Sequence, residues 1–312
     1  MHIPDGFVST PINIASAAAG IGVVGYALRR AGSALDQRKI PLLGVVAAFI
    51  FAAQMLNFPV VAGTSGHFVG AALAAILLGP FEAVLVMASV LVLQCLMFAD
   101  GGITALGSNV FNMGIIGALF GYAVFTGLRA ILPRNKSGML AAAAVAAWAS
   151  VVASALSCAV MLGASGRYPL ELAVPTMAGV HALIGIGEGA ITAAALALVV
   201  AARPDLVYAL RRAEREKPAV AGAWGFAAVG LGVALVLAVM VSPFASGEPD
   251  TLEKIASVQQ QEQVWQYAPI ADYRVGPFNN EFVKIGLAGL IGTLLAFGLT
   301  FFVVNAIRGR RS

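Results

Sequence analysis

The sequence predicts an all-α integral membrane protein with about nine transmembrane helices, a seven-helix bundle followed by a two-helix tail module. Three observations lead there. Hydrophobic residues make up 60% of the chain and charged residues 11%. The mean hydropathy is +0.89, outside the range of a soluble domain. Apolar runs near the length that crosses a hydrocarbon core, about 20 residues, recur along the chain.

These runs cover residues 9–29, 41–57, 67–80, 82–98, 109–128, 139–163, 175–201, 221–242 and 283–305, bounded by charges, Pro or Gly-rich turns. The first follows residues 1–8, which contain no Lys or Arg, and precedes Arg29 and Arg30. Ala17-Ala18-Ala19-Gly20 resembles a signal-peptidase region, but a signal peptide carries its positive charge before the apolar run. The segment therefore reads as a retained span with the N-terminus outside. The third run is short and rich in Gly and Ala, and its boundaries are the least defined. Stretches such as Ala15–Gly20 and Ala71–Ala75 let membrane helices approach closely, for internal packing or for docking another membrane protein. The charged stretch Arg203–Pro218 separates seven crossings from two and divides the chain into domains 1–215 and 216–312. The last two crossings flank a polar extracytoplasmic loop, 243–282. In it Asp250 is placed to cap a short helix whose apolar positions are Leu252, Ile255 and Ala256.

Charge bias supports this arrangement. With nine alternating crossings, fifteen Lys and Arg fall on the side of Arg29, Lys136, Arg203 and Arg308, and four (Arg167, Lys254, Arg274, Lys284) fall opposite. That is the positive-inside pattern of a multi-pass protein of the inner, cytoplasmic membrane, with the C-terminus inside. The net charge of +4 is then a topology signal and no footprint for nucleic acid. Nine outer carboxylates, Asp5, Asp100 and Asp250 among them, favour the approach of cations from outside. Cys95 and Cys158 lie within apolar segments and read as small core residues.

The chemistry begins at residue one. A bulky residue at position two blocks removal of the initiator methionine, so the amine is that of Met1. The amine, the deprotonated His2 backbone nitrogen and His2 Nδ1 close a five-membered and a six-membered chelate ring on one metal ion. His67 follows the Gly/Thr/Ser-rich turn 61–66 and is the candidate fourth ligand. An all-nitrogen tetragonal set suits Ni(II) or Cu(II), whereas Zn(II) prefers a tetrahedral site. A single membrane histidine more often packs and hydrogen-bonds than ligates, but all three histidines of this chain fall near the outer side.

His181 and Glu188 are seven residues apart and share a helix face about 10 Å apart along the axis. His181 reads as a packing or supporting residue. Glu188, an acid inside a span, is a proton relay, a support for the ligands or a hydrogen-bonding lock between helices. Asn57, Ser108, Asn109 and Asn112 form a polar set near the outer ends of spans, suited to holding the inserted N-terminal loop or to helix capping. No nucleophile paired with a base, hydrolase carboxylate pair or Walker-type loop appears, so the chain reads as no enzyme, and energy comes from a partner or a gradient.

Met1-His2-Ile3-Pro4-Asp5-Gly6, Gly63–Gly70, Asn109–Gly114 and His181–Gly189 resemble the NikM/CbiM family, the substrate-capture (S) components of nickel and cobalt energy-coupling-factor transporters. The resemblance covers about residues 1–215. Pro249-Asp250-Thr251-Leu252-Glu253 and Ala268–Tyr273 resemble the NikN-type partner component, with Thr251 where its Pro-Asp-Gly-Leu-Glu signature has Gly. The chain thus looks like a fusion of both. The resemblance implies that Met1, His2 and His67 hold the ion. It also implies a transmembrane coupling (T) protein and two cytoplasmic ATPase subunits that drive uptake. Ni(II) is the expected substrate and Co(II) the alternative. A further alternative is a secondary metal/proton transporter working without an ATPase and using Glu188.

Overall fold

The computed structural model describes residues 1–34, 39–61, 63–211, 223–258 and 268–309. Arg38, Arg212, Arg215, Lys217, Glu262, Arg310 and Arg311, counted in the charge bias, lie outside the described residues, as does the Gln-rich stretch 259–263 of the polar loop. The helices are α1 Thr10–Ala34, α2 Ile40–Gln54, α3 Ala71–Leu78, α4 Pro80–Phe98 and α5 Leu106–Ile131, then α6 Lys136–Ala164, α7 Leu170–Ala202, α8 Trp224–Phe244, α9 Thr251–Val258 and α10 Glu281–Gly309. Among the described residues the strands are two short ones, Phe58–Pro59 paired antiparallel with Ser65–Gly66.

Among the described residues seven helices, α1, α4 to α8 and α10, are long and apolar enough to cross a membrane. The chain is therefore an all-α membrane protein, and each of the nine apolar runs contains a helix. Two of those helices are short. All but Gln54 of the fifteen residues of α2 are apolar, and the helix is almost wholly buried. The eight residues of α3 rise only about 12 Å, less than half of a hydrocarbon core. Gly70 at φ 82° and Gly79 at φ 116° bound α3, so the run 67–80 is part loop and part helix. The loop portion carries His67 into the bundle.

Local chemistry sets the helix ends. Asn135, in extended backbone, accepts the Gly138 N–H at 2.8 Å and caps α6, worth about 1 kcal/mol. Pro80 occupies the first turn of α4, where a missing N–H costs nothing. Asp250 caps α9 as its sequence position predicts. Its Oδ1 accepts the Glu253 N–H while Glu253 Oε2 accepts the Asp250 N–H, both at 2.8 Å, a reciprocal capping box. The centre of α5, Val110–Phe120, winds as a π-helix.

The nineteen residues of α4 separate two ends of the bundle by about 28 Å. At the Gly79 end, the Arg30 guanidinium lies 4.9 Å from the Phe81 ring and the Lys39 ammonium 5.8 Å from the Tyr208 ring. At the Asp100 end gather residues 1–7, the hairpin and the tail segments around Asp250 and Tyr273. Side chains such as Ile21, Ile186, Leu198 and Phe302 point outward, as lipid-facing positions do, whereas all of α3 is buried. The small residues 71–75 thus serve internal packing.

The tail packs α8 and α10 against α2. Gly292 of α10 is required there, because a Cβ would stand 2.1 Å from the Phe51 ring. Phe98 stacks on Tyr273 with centroids 4.7 Å apart and touches Phe51 at 5.2 Å. This aromatic cluster brings the tail's Tyr273 segment to the Asp100 end of the bundle.

Candidate metal centre

The N-terminal segment is threaded into the bundle because its apolar residues and its backbone both find partners there. Ile3 and Phe7 are fully buried, and Phe7 packs on Tyr168 with centroids 6.0 Å apart. Asn109 clasps the Ile3 peptide from both sides: its Oδ1 accepts the Ile3 N–H at 2.8 Å and its Nδ2 donates to the Ile3 carbonyl at 3.1 Å. The Gly102 N–H donates to the same carbonyl at 2.8 Å. Asp5 accepts the backbone N–H groups of Ile103 and Thr104 at 3.1 and 2.8 Å, and the Thr104 hydroxyl as well. Ser108 anchors α1 through Asn13 Oδ1 at 2.8 Å and the Ser16 hydroxyl at 2.7 Å.

This threading brings Met1, His2 and His67 together. The Met1 amine lies 3.2 Å from His67 Nε2, and the His2 and His67 rings stack with centroids 5.1 Å apart and 23° between planes. His67 Nδ1 is 2.9 Å from the Phe68 carbonyl, which can only accept, so Nδ1 carries the proton and the Nε2 lone pair faces the amine. Among the described residues no three His, Cys, Asp or Glu side chains form a metal-ligating group, so this cluster joins two imidazoles to a terminal amine.

Two carboxylates engage the same donors. Asp250 Oδ2 is 2.7 Å from the Met1 nitrogen, and Asp100 Oδ1 is 3.1 Å from His2 Nδ1. His2 Nε2 lies 3.2 Å from Gln94 Oε1, whose amide donates to the Tyr273 hydroxyl at 3.2 Å. That hydroxyl donates to Asp100 Oδ2 at 2.6 Å, closing a ring of contacts around His2. The tail segment is seated by the Ser65 N–H to Pro249 carbonyl bond at 2.9 Å and the Ser65 hydroxyl to Glu248 carbonyl bond at 2.6 Å. A cavity of about 590 Å³ opens beside the cluster, lined by His2, His67, Asp100, Asp250, Glu253 and Tyr273 among others.

The electrostatics follow from burial and these pairs. Burial opposes the Met1 ammonium, but the charge and hydrogen bond of Asp250 outweigh it and hold the amine above its ordinary pKa of 8.0. Burial also works against the Asp250 anion, yet the Met1 ammonium wins and keeps that carboxyl well below the usual range. Burial lowers His2 despite Asp100, and lowers His67 further, with the Met1 charge and His2 adding to the effect. Both imidazoles are therefore neutral at pH 7, the form in which they ligate metals.

The other sequence candidates divide. Asn109 and Ser108 hold the N-terminal loop and α1, as described. Asn57 lines the cavity, and its carbonyl accepts the Ser246 N–H at 2.7 Å. Asn112 does not reach the N-terminal loop; it accepts from the Ser157 hydroxyl at 2.7 Å and its amide meets Met161 Sδ at 3.5 Å, joining α5 to α6. His181 is buried on α7 with Nδ1 2.8 Å from the Met177 carbonyl, and it borders a space of about 10 Å³ shared with Met1 and His67. Glu188 accepts backbone N–H groups from Val69 and Gly70. Asp250, Asp100, Gln94 and Tyr273 were not singled out as site residues in the sequence. Gln94 carries a readable signal, a polar side chain within an apolar span.

The sequence profile of the family described as cobalt uptake substrate-specific transmembrane region (CbiM) matches residues 2–206, and that of the PDGLE domain matches residues 224–309. The chain is 38% identical over 310 residues, 99% of each chain, to an Archaeoglobus fulgidus protein named "Putative fused nickel transport protein NikMN". It is 35% identical to the fused nickel transport protein NikMN of Rhodobacter capsulatus, across 76% of this chain and 71% of that one. A crystal structure of a truncated transition metal transporter superposes with a TM-score of 0.59 at 30% identity, covering 65% of this chain and 99% of that one.

Proposed function

The chain belongs to the CbiM family and carries a PDGLE domain, and from that premise we propose that it captures Ni(II) from outside the cell and hands it to an ATP-driven uptake machine. It is a multi-pass membrane component of nickel or cobalt transport, not an enzyme. In this reading the ligands are the Met1 amine, the His2 backbone nitrogen, His2 Nδ1 and His67 Nε2.

The observation that carries it is the 3.2 Å approach of the Met1 amine to His67 Nε2 beneath the stacked His2 ring. These groups come from residues 66 positions apart; the ammonium donates to the imidazole nitrogen, and loss of its proton to an incoming ion leaves two nitrogen lone pairs facing one another. Binding exchanges contacts rather than building a site: the amine leaves Asp250, and His2 Nδ1 turns from Asp100 toward the ion. Four nitrogens in a plane form a strong field, which favours Ni(II) over Co(II).

The capture domain is 1–215 and the tail domain 216–312, in the inner membrane with the N-terminus outside. A transmembrane coupling protein and two cytoplasmic ATPase subunits complete the machine. Glu188 is engaged by two backbone amides, which favours this reading over a secondary transporter that uses it for protons. Ni(II) titration of the purified full chain against His67→Ala tests the proposal. Tight binding lost in the variant supports it; unchanged binding overturns it.

A further inference from the structure

Glu188 is a carboxylate 1% exposed in the middle of α7, and among the described residues no cationic side chain pairs with it. Its two oxygens instead take two consecutive backbone amides. The Val69 N–H donates to Oε2 and the Gly70 N–H to Oε1, each at 2.7 Å. Those amides come two and three residues after His67, at the N-terminal end of α3, where unpaired N–H groups favour an anion. Gly70 has φ 82°, a left-handed conformation that glycine adopts without a Cβ clash.

The same segment is held elsewhere by its neighbours. Gln54 Nε2 of α2 donates to the Val69 carbonyl at 2.8 Å. Ile184, one turn before Glu188, presses on Gly66 so closely that a Cβ there would lie 2.4 Å from its side chain. Helix α7 therefore grips the chain on both sides of His67, at Gly66 through Ile184 and at Val69 and Gly70 through Glu188.

We propose that Glu188 is the positioning residue of the metal site, holding the loop that carries His67 so that Nε2 stands as fourth ligand beside the Met1 amine. This rests on the reading of Met1, His2 and His67 as the ligands. The carboxylate is required because it alone offers two acceptors to two donors. A glutamine turns a donor NH₂ toward one of the amides and leaves that N–H unsatisfied. The terminal three-nitrogen chelate does not depend on Glu188; the imidazole of His67 does.

The test is Ni(II) titration of the full-length chain with its native N-terminus, read by affinity and by the d–d absorption band, for wild type, E188Q and H67A. Supporting groups around metal ligands are worth about 10- to 100-fold in affinity, and a loss of that size is expected for E188Q. Its band should move to longer wavelength as in H67A, and added free imidazole should restore both by filling the vacant position. A folded E188Q with wild-type affinity and band, beside an impaired H67A, overturns the proposal and leaves the capture reading standing. Weaker binding with an unshifted band also overturns it, because that marks general destabilisation. An unimpaired H67A overturns the capture reading and this proposal with it. E188D, which keeps the charge on a shorter side chain, is judged by the same criteria if E188Q is not recovered folded.

Discussion

The Met1 amine and Asp250 Oδ2 lie 2.7 Å apart although 249 positions separate them in sequence. The first residue of the capture domain is thus paired with the signature motif of the tail. The contact ties the Met1 amine to the seating of the tail segment, which Ser65 also holds through the Pro249 and Glu248 carbonyls.

That ion pair has a defined pH window. The amine is held above its ordinary 8.0, so its contribution is complete below that value and is lost as pH rises through the raised pKa. Asp250 is held below its ordinary 3.8, so its contribution is complete above that value and is lost as pH falls through the lowered pKa. Tail docking is therefore strongest between these limits. Asp250→Asn should speed amide hydrogen exchange in residues 249–255 by about tenfold at pH 7 in the metal-free protein. Exchange unchanged by the substitution would mean that the tail is seated by other contacts.

Metal binding should release protons from identifiable groups. Both imidazoles are already neutral at pH 7, while the amine and the His2 amide must each lose one proton. Nickel affinity should rise about tenfold per proton per pH unit, close to two protons per ion between pH 6.5 and 8. Calorimetry in buffers of different ionisation enthalpy counts them. A count of zero would exclude the terminal amine as a ligand.

Asn109→Ala should weaken nickel binding by loosening the Ile3 peptide. It removes two hydrogen bonds, at 2.8 and 3.1 Å, each worth about 1 kcal/mol, so a loss of about 30-fold is expected in titration. Wild-type affinity in this variant would show that the N-terminal segment holds its register without the clasp.

Asn112→Ala provides the contrast. Its partners are Ser157 and Met161 on α6, away from the N-terminal loop. Thermal stability should fall, by about 1 kcal/mol for an interhelical hydrogen bond in a membrane protein, while nickel affinity stays within about twofold. A large loss of affinity would bring Asn112 back into the site.

Hydropathy made the nine apolar segments legible, because lipid forces backbone groups into helices and leaves apolar side chains outside. It could not show that residues 67–70 are loop and not helix, since Gly70 and Gly79 interrupt an otherwise apolar run and hydropathy does not register φ. Met1, His2 and His67 were legible because their chemistry is local to a terminus and a turn. Asp100 and Tyr273 were not, since their roles come from a contact between loops 173 positions apart. Asp250 was read as a helix cap and is one: its Oδ1 caps α9 while Oδ2 meets the amine, and sequence spacing reports only the first of these. The position of Asn112 on α5 similarly gave its depth but not its direction.

The most direct measurement is Ni(II) titration of the full chain with its native N-terminus against the same chain acetylated at the Met1 amine. Acetylation leaves every side chain present and the residue spacing unchanged but removes the terminal amine as a donor. The account predicts that tight nickel binding is lost; binding of undiminished affinity in the acetylated form would contradict it and move the site away from the N-terminus.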